Sequence, residues 1–252
     1  MELKTSGFVL SSRPRGEADR LVCLFTLQAG RVRASVRGAR KSVSKLASSL
    51  ELMNESDLVL HRRGGGDLLR LTQSKLRAGH ARLKEDLGSI AVLQLLAETL
   101  EKSTPEGEPH PGEYLQVRRV LKVLSAAKSQ TEREQVLASF VLKLLDGLGY
   151  PMELSRCAGC GVSLACSEAI LVPHRGGALC RECIPGNARL LLKPAERAVL
   201  ERLREWPLEK CGVLKIPPRR SRSILRRVLE YAGQTLETDL KTLPYYMQVV
   251  PL

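Results

Sequence analysis

Four cysteines form two Cys-x-x-Cys pairs, Cys157 with Cys160 and Cys180 with Cys183, separated by 19 residues. Each pair can turn two thiolates onto one metal ion, and two pairs complete the tetrahedral shell of zinc, with Zn–S distances near ~2.3 Å. Four protein ligands leave no position for water, so the spacing predicts one structural zinc ion rather than a catalytic one. A redox-active Cys-x-x-Cys pair is the alternative.

The remaining cysteines are not expected to bind this ion. Cys166 and the lone His174 lie between the two pairs but outside their spacing. Cys23, in a predicted strand, and Cys211, in a predicted loop, are expected to pack as small apolar residues. An odd total of seven cysteines, with four in spaced pairs, fits a reducing compartment better than a disulfide scaffold.

Residues 30–45 form a second group with recognisable chemistry, because they contain no carboxylate and their first half alternates between polar or basic and apolar residues. Side chains on a strand alternate between its two faces, so one face would be apolar and the other cationic. Arginine offers a planar donor fork that matches phosphate oxygens. We therefore predict a polyanion-binding segment, and its cationic residues are Arg31, Arg33, Arg37, Arg40, Lys41 and Lys45.

The overall charge supports an anionic partner. The net charge is +13, and residues 1–80 hold 15 basic against 7 acidic residues. Aromatic residues make up only 4% of the chain, so stacking on bases would contribute little. Binding should then be indifferent to base sequence and sensitive to salt, with a log–log slope of about −4 for six phosphate contacts on a single strand.

No catalytic residues are expected. The sequence has no phosphate-binding P-loop, dinucleotide fingerprint, Gly-x-Ser-x-Gly or His-Glu-x-x-His motif, and its four histidines are scattered. No apolar run approaches the ~20 residues of a membrane span. The first residues also lack the pattern of a secretory signal. These features predict a non-enzymatic cytoplasmic protein.

The elements that must position these residues indicate an α+β multidomain chain. Five short strands within about 70 residues, with a longer excursion after the third, are typical of a five-stranded OB-type barrel. The predicted strands are Thr5–Ser12, Arg20–Leu27, Arg31–Gly38, Asp57–Arg63 and Leu68–Leu76. We expect residues 1–79 to form this domain and residues 80–252 a helical domain, with the zinc module inserted at about 154–188.

Two helix starts can be placed from capping signals. Thr131 and Glu134 have capping-box spacing ahead of an apolar helix. The final helix is expected to begin near Ser221 or Ser223 and to extend towards Leu240. Its start carries a second basic cluster, which either holds another strand of nucleic acid or is simply solvated: Arg219, Arg220, Arg222, Arg226 and Arg227.

Taken in order along the chain, several segments resemble the bacterial RecO family of DNA repair and recombination-mediator proteins. The N-terminal segments are residues 13–19 (RPRGEAD), 24–26 (LFT), 30–32 (GRV) and 37–40 (RGAR). The later segments are residues 107–111 (GEPHP), Phe140 with 144–150 (LLDGLGY), 156–161 (RCAGCG) and 176–180 (GGALC).

The resemblance implies an N-terminal OB domain, a helical domain and a zinc module. It implies a protein that binds single- and double-stranded DNA, anneals complementary strands and hydrolyses no nucleotide. With RecR, and in some systems RecF, such proteins help to load RecA onto DNA covered by single-strand-binding protein, whose acidic C-terminal tail is a partner. The basic strand with Arg31, Arg33 and Arg37, followed by Arg40 and Lys41, matches the family's DNA-binding region, and the four paired cysteines match its zinc ligands. A nucleoid-associated location in the cytoplasm follows.

Three other functions remain open from the residues alone. An RNA-binding or ribosome-associated module would combine the same barrel and zinc ribbon. A transcription or architectural factor would bind DNA through residues 157–183. A scaffold whose charge is only compositional would bind weakly and release nucleic acid at physiological salt.

Overall fold

A computed structural model describes residues 2–38, 46, 48–62, 68–165, 167–184 and 191–250. The chain divides into two compact units, residues 1–117 and 118–252. The first unit contains the N-terminal strands together with a complete helix and the start of the next one. A domain boundary after residue 79 therefore stays a prediction, while the compact units divide within that second helix.

The first unit contains the predicted five-stranded barrel. Its strands are β1 (Glu2–Arg15), β2 (Asp19–Thr26), β3 (Gly30–Val36), β4 (Glu55–Arg62) and β5 (Leu69–Ala78). They close in the order β1-β2-β3-β5-β4, with every neighbouring pair antiparallel except β3 and β5. This closed barrel confirms the OB-type architecture expected from the sequence.

Apolar residues alternate with polar or basic residues along β3 because the strand has one face inside the barrel and one outside. Val32, Ala34 and Val36 point into the barrel, where they join a core built from all five strands. The intervening residues point outwards, so the cationic side chains lie on the outer surface of the barrel. The strand periodicity seen in the sequence is therefore the inside–outside periodicity of a closed sheet.

Strand β1 is longer than the sequence suggests. Its register against β2 shifts between Val9 and Ser11, a bulge that bends the strand around the barrel. Beyond the bulge, β1 pairs only with β2 as far as Arg15, because its pairing with β4 covers Glu2 to Phe8. Pro14 is tolerated there since one side of the strand carries no ladder. The proline explains why the predicted strand stopped too early, at Ser12.

Two helices accompany the barrel in the first unit: α1 (Leu87–Ser103) and the beginning of α2 (Pro111–Ala126). Asp86 caps α1 by accepting a hydrogen bond from the Ser89 amide at 2.8 Å. The first turn of α2 places the Tyr114 ring against Phe8 and Phe25, with ring centroids 4.8 and 6.0 Å away. The Tyr114 hydroxyl donates to the buried carboxylate of Glu55 on β4 at 2.9 Å.

The second unit packs its helices around α3. Besides the remainder of α2, its α-helices are α3 (Gln130–Gly147), α4 (Pro194–Glu205), α5 (Leu208–Cys211), α6 (Pro218–Thr235) and α7 (Thr242–Val249). A three-stranded sheet of order β7-β6-β8 accompanies them, formed by Gly177–Leu179, Ala169–Val172 and Leu191–Leu192 respectively. No helix of the described residues combines the length and apolar composition needed to cross a membrane.

Helices α3 and α6 begin earlier than predicted. Ser129, not Thr131, caps α3, accepting from the Glu132 amide at 3.2 Å while Glu132 accepts from the Lys128 amide at 2.7 Å. Helix α6 starts at Pro218 rather than at Ser221 or Ser223, because proline fits the first turn, where its missing N–H is not needed.

Helix α6 also ends before Leu240. The Thr238 amide donates to the carbonyl of Gly233 at 2.8 Å, and Glu237 takes the left-handed φ of 50°. This is the Schellman arrangement that usually carries glycine. The sequence therefore gave no signal for the stop.

A buried ionic network joins α3, α6 and α7. The Glu134 carboxylate, whose side chain is 2% exposed, accepts from Arg222 Nε and from the Tyr246 hydroxyl, both at 2.8 Å. Gln130 donates to the same hydroxyl at 2.9 Å, and Arg222 also donates to the carbonyl of Val250. Burial, followed by the charge of Glu134, raises the pKa of Tyr246 far above its ordinary value. The network fixes α7 to the bundle.

Candidate metal centre and nucleic-acid interface

The segment before the first cysteine pair is held in place by backbone pairing. Glu153 exchanges backbone hydrogen bonds with Gly176 and Ala178 at 2.9 and 2.8 Å. A Cβ at Gly177 would lie 2.3 Å from the Glu153 carbonyl oxygen, so only glycine permits this approach. Backbone and hydroxyl donors of Arg156 and Ser155 lower the pKa of the Glu153 carboxyl. The first cysteine pair is thus aligned with the β7 end of the small sheet.

The four predicted ligands come together. Their Sγ atoms all lie within 4.8 Å of one another, and those of Cys160 and Cys180 are 3.7 Å apart. A tetrahedron with Zn–S distances of about 2.3 Å has edges of about 3.8 Å, so the sulfurs fit one metal ion. Gly161 takes a φ of 76°, which lets the first pair turn back on itself.

The pKa values of two of the clustered thiols are shifted in opposite directions. Burial raises the pKa of Cys157, but the backbone N–H groups of Cys180, Cys160 and Gly159 outweigh it and bring that pKa to about 6. Hydrogen bonds with Cys160, Cys180 and Cys157 raise the pKa of Cys183 to about 12. The pocket favours a thiolate at Cys157 and resists one at Cys183, which is the charge problem that a bound cation removes.

Helix α4 supports the same module through a buried arginine. Arg197 donates to the carbonyls of Ser167 and Ala165 at 3.0 and 2.8 Å, although its side chain is 4% exposed. These carbonyls flank Cys166, which lies outside the described residues. Arg197 therefore ties the segment between the two cysteine pairs to the helical bundle.

The other candidate ligands described lie apart from the metal centre. His174 is exposed and does not join the four-sulfur cluster. Cys211 ends α5 rather than lying in a loop, and its buried thiol donates to Ser139 Oγ at 3.2 Å. Cys23 is buried in β2, where burial and then the charge of Glu101 raise its pKa to about 12. Both residues pack, as expected.

The predicted basic residues divide into two groups. Arg31 and Arg33 lie on the outer face of β3, and Arg37 follows the strand with an exposed side chain. Arg40, Lys41 and Lys45 lie outside the described residues. The role of all six residues in binding DNA stays a prediction. Arg33 and Arg37 lie at the surface, where a polyanion can reach them.

Two arginines that sequence reasoning did not assign extend this basic face. Arg13 and Arg15 are exposed on the extension of β1, and Arg13 pairs with Leu21, which in turn pairs with Ser35 of β3. Residues paired across strands share a face, so Arg13 lies on the outer face with Arg33. In the sequence both arginines lie beyond Ser12, where the first strand was predicted to end, so they were not assigned to the barrel face.

The segment between α1 and α2 contacts two of the predicted arginines. Arg31 Nε donates to the carbonyl of Thr104 at 2.8 Å, and the Arg31 carbonyl accepts from the Gly107 amide at 2.8 Å. Arg33 places Nε and Nη2 at 3.1 and 3.0 Å from the two carboxylate oxygens of Glu106. We call residues 104–108 the docked segment. Arg31 is therefore partly a structural residue.

Gly30 permits the docked segment to lie against β3, and its replacement tests this. Gly30→Ala puts a Cβ 1.8 Å from the Glu108 carbonyl oxygen at a φ of 61°. Gly16→Ala is the matched control, because Gly16 has a φ of 66° with nothing within 4 Å of the added atom. Both should lose about 1–2 kcal/mol for the backbone conformation, and Gly30→Ala about 1–3 kcal/mol more, measured by urea unfolding. Equal losses would show that the segment is not packed here.

The second basic cluster is smaller than the sequence indicates. Arg222 is paired with Glu134, and Arg227 donates to the carbonyl of Leu191. Arg219, Arg220 and Arg226 are exposed, the last lying 3.8 Å from Glu230. Two of the five arginines therefore hold the fold, and three remain at the surface.

Comparison with known proteins covers both units. The model of the Recombination protein O N-terminal domain matches residues 1–80, and that of the C-terminal domain matches residues 84–244. The DNA repair protein RecO of Roseiflexus sp. (strain RS-1) is 34% identical over 244 residues, covering 96% of this chain and 84% of that protein. The DNA repair protein RecO of Pelotomaculum thermopropionicum is 30% identical over 241 residues, covering 95% of this chain and 91% of that protein. That of Anaeromyxobacter sp. (strain K) is 32% identical over 233 residues, with 91% of each covered.

Fold and site together define an OB-barrel protein with a helical bundle and an embedded four-cysteine metal module. The matched models extend over both parts in the same order along the chain. This chain belongs to the RecO family of DNA repair and recombination proteins, which confirms the resemblance seen in its sequence.

Proposed function

We propose that this protein is a non-enzymatic recombination mediator that binds DNA through its phosphates and anneals complementary single strands. With RecR, and in some systems RecF, it helps to load RecA onto DNA covered by single-strand-binding protein. The observation that carries the annealing activity is the exposed cationic face of the barrel, with Arg33, Arg37, Arg13 and Arg15 on its outer surface. Family membership supports the choice of DNA repair.

The physical basis of annealing is charge neutralisation. Two complementary strands repel each other through their phosphates, and a cationic surface that binds both lowers the cost of bringing them together. The first strand would follow the barrel face, and the exposed Arg219, Arg220 and Arg226 of α6 are the proposed contacts for the second. Arg37 continues the barrel surface beyond β3, and we include Arg40, Lys41 and Lys45, which lie outside the described residues, as phosphate contacts on the strength of their sequence.

The metal, the further partners and the location belong to the same proposal. We assign zinc to the four sulfurs, because a set of four thiolates at tetrahedral spacing favours it. Such an ion would cross-link two segments of chain and take no part in chemistry at DNA. The acidic tail of single-strand-binding protein is a natural partner for a chain of charge +13. A cytoplasmic, nucleoid-associated location follows from these partners.

An annealing experiment tests the proposal. Two complementary oligonucleotides coated with single-strand-binding protein are mixed without nucleotide, and duplex formation is followed by fluorescence. Arg33→Glu/Arg37→Glu should slow annealing by about tenfold or more, because it replaces two phosphate contacts with repulsion. Arg31 is left unchanged, since its bond to Thr104 supports the fold. Lys122→Glu/Lys128→Glu is the control, with the same change in net charge on exposed residues of the second unit.

The outcomes distinguish this function from its alternatives. Slower annealing in the barrel variant alone supports the proposal, while equal effects of both variants would mean that only total charge matters. Binding without any annealing by the wild-type protein would contradict it. Stronger competition by matched RNA than by DNA would favour an RNA-binding module instead. Loss of binding at physiological salt would favour a scaffold.

A further inference from the structure

The contact between Arg33 and Glu106 has the geometry of an arginine–phosphate contact. Two guanidinium nitrogens reach two oxygens of one carboxylate at 3.1 and 3.0 Å. Arginine makes the same two-pronged arrangement with a phosphate group. The Glu106 carboxylate therefore lies where a phosphate bound by Arg33 in this rotamer would place its oxygens.

The position of Glu106 is fixed by its backbone rather than by this ion pair. The docked segment is held by the hydrogen bond from the Gly107 amide to the Arg31 carbonyl and by the close approach of Glu108 to Gly30. Thr104 adds hydrogen bonds from its amide and its hydroxyl to the Leu100 carbonyl, at 3.2 and 2.7 Å. The carboxylate can thus leave Arg33 by side-chain rotation while the segment stays docked.

Both partners are accessible to an incoming ligand. The Arg33 side chain is 55% exposed and that of Glu106 28% exposed. An ion pair at such a surface is worth little, because water and salt screen it and two long side chains must be ordered. A nucleic-acid backbone, with its repeated charges and releasable counterions, can compete with it successfully.

We propose that Glu106 is an internal competitor for phosphate, which occupies Arg33 in the free protein and is displaced when a nucleic-acid backbone binds. The inference rests on the proposed function, because it assumes that β3 contacts phosphates. The Glu106 carboxylate lowers the affinity of the barrel face for nucleic acid, while the other arginines of that face keep it cationic. A strand is then held less tightly, which favours release of the annealed product.

Removal of the Glu106 charge tests this inference, and Glu108 provides a matched control. Glu108 lies two residues further along the docked segment, and its carboxylate has no ion-pair partner among the described residues. Glu106→Gln and Glu108→Gln change the net charge equally and at nearly the same place. Binding of a fluorescein-labelled single strand of mixed sequence is measured by anisotropy for the wild-type protein and both variants. Glu106→Gln should tighten binding about two- to five-fold more than Glu108→Gln does.

An Arg33→Ala background shows whether the effect passes through this arginine. The difference between Glu106→Gln and Glu108→Gln should disappear there, because no guanidinium remains to be released. A difference that persists without Arg33 would overturn the inference, and so would equal effects of the two variants in the parent protein. If the wild-type protein binds the strand in those cases, the inference alone fails, and the annealing experiment still decides the proposed function. Failure of the wild-type protein to bind DNA at all would overturn both.

Discussion

Replacing Cys157 with serine is expected to remove the bound metal and to lower the free energy of unfolding of the second unit by about 3 kcal/mol or more. Cys157 is the most buried of the four cysteines, and its sulfur accepts hydrogen bonds from the Gly159 and Cys180 amides at 3.4 and 3.3 Å. Without the ion, the two cysteine pairs are joined, in the described part of the chain, by short backbone ladders and by the amide–sulfur bond from Cys180 to Cys157. For a unit of this size the melting temperature should fall by about 6–12 °C.

Metal content and thermal melting measure this effect, and Cys211→Ser is the control. Cys211 is a buried cysteine of the same unit that lies outside the four-sulfur cluster, so its variant should keep one metal per chain. A chelator should lower the melting temperature of the wild-type protein and of Cys211→Ser, but not that of Cys157→Ser. A wild-type protein without metal, or one unaffected by chelation, would contradict the assignment.

The same variants locate DNA binding. If the barrel carries the interface, Cys157→Ser should bind a single strand as tightly as Cys211→Ser does, at temperatures where both are folded. Loss of binding in Cys157→Ser alone would favour a transcription or architectural factor that contacts DNA through residues 157–183. Stability and binding therefore separate the structural role of the metal from a role at the nucleic acid.

Glu134→Ala should cost about 3–5 kcal/mol of stability, because it leaves the guanidinium of Arg222 and the hydroxyl of Tyr246 without their shared partner in the bundle. The Arg222 side chain is 11% exposed, so water can replace the carboxylate only in part. We expect α7 to loosen first, since Tyr246 is its buried anchor. Urea unfolding followed by circular dichroism measures the loss.

Helix α6 supplies its own control for this prediction. Glu230→Ala also removes the carboxylate beside an arginine of α6, but Arg226 is exposed and 3.8 Å away, so the expected cost is about 0.5 kcal/mol or less. Replacing both buried partners, as Glu134→Met with Arg222→Met, should recover much of the stability, since no charge is left unpaired. A small effect of Glu134→Ala would mean that water reaches Arg222 freely.

Features governed by local spacing could be predicted from the sequence. The two Cys-x-x-Cys pairs predicted the four cysteines whose sulfurs cluster, and the alternation of Val32, Ala34 and Val36 predicted the inner face of β3. Both patterns depend only on neighbours along the chain. The five strands could be predicted for the same reason, except that β1 continues past Pro14, where it pairs with β2 alone. The start of α3 was predicted two residues too late, because Ser129 rather than Thr131 caps the helix.

The partners of charged side chains could not be predicted in this way. Arg222 and Arg227 look like surface residues in sequence, but they bind a carboxylate and a carbonyl that lie 88 and 36 residues away. Glu106 meets Arg33 across 73 residues for the same reason. Charge patterns show how many cations a segment carries, but only tertiary packing shows which of them are available.

The strand pairings of the barrel differ in length, and the shortest pairing should be the first to open. Strands β1 and β4 pair continuously from Glu2 with His61 to Phe8 with Glu55, while β3 and β5 meet only at Ala34 with Leu69 and Ser35 with Arg70. The barrel is therefore closed most weakly between β3 and β5, its short parallel pairing, and more firmly between β1 and β4. Amide hydrogens in the β3–β5 pairing should exchange with solvent before those in the β1–β4 pairing. When the β3–β5 pairing opens, β3 should stay hydrogen-bonded to β2.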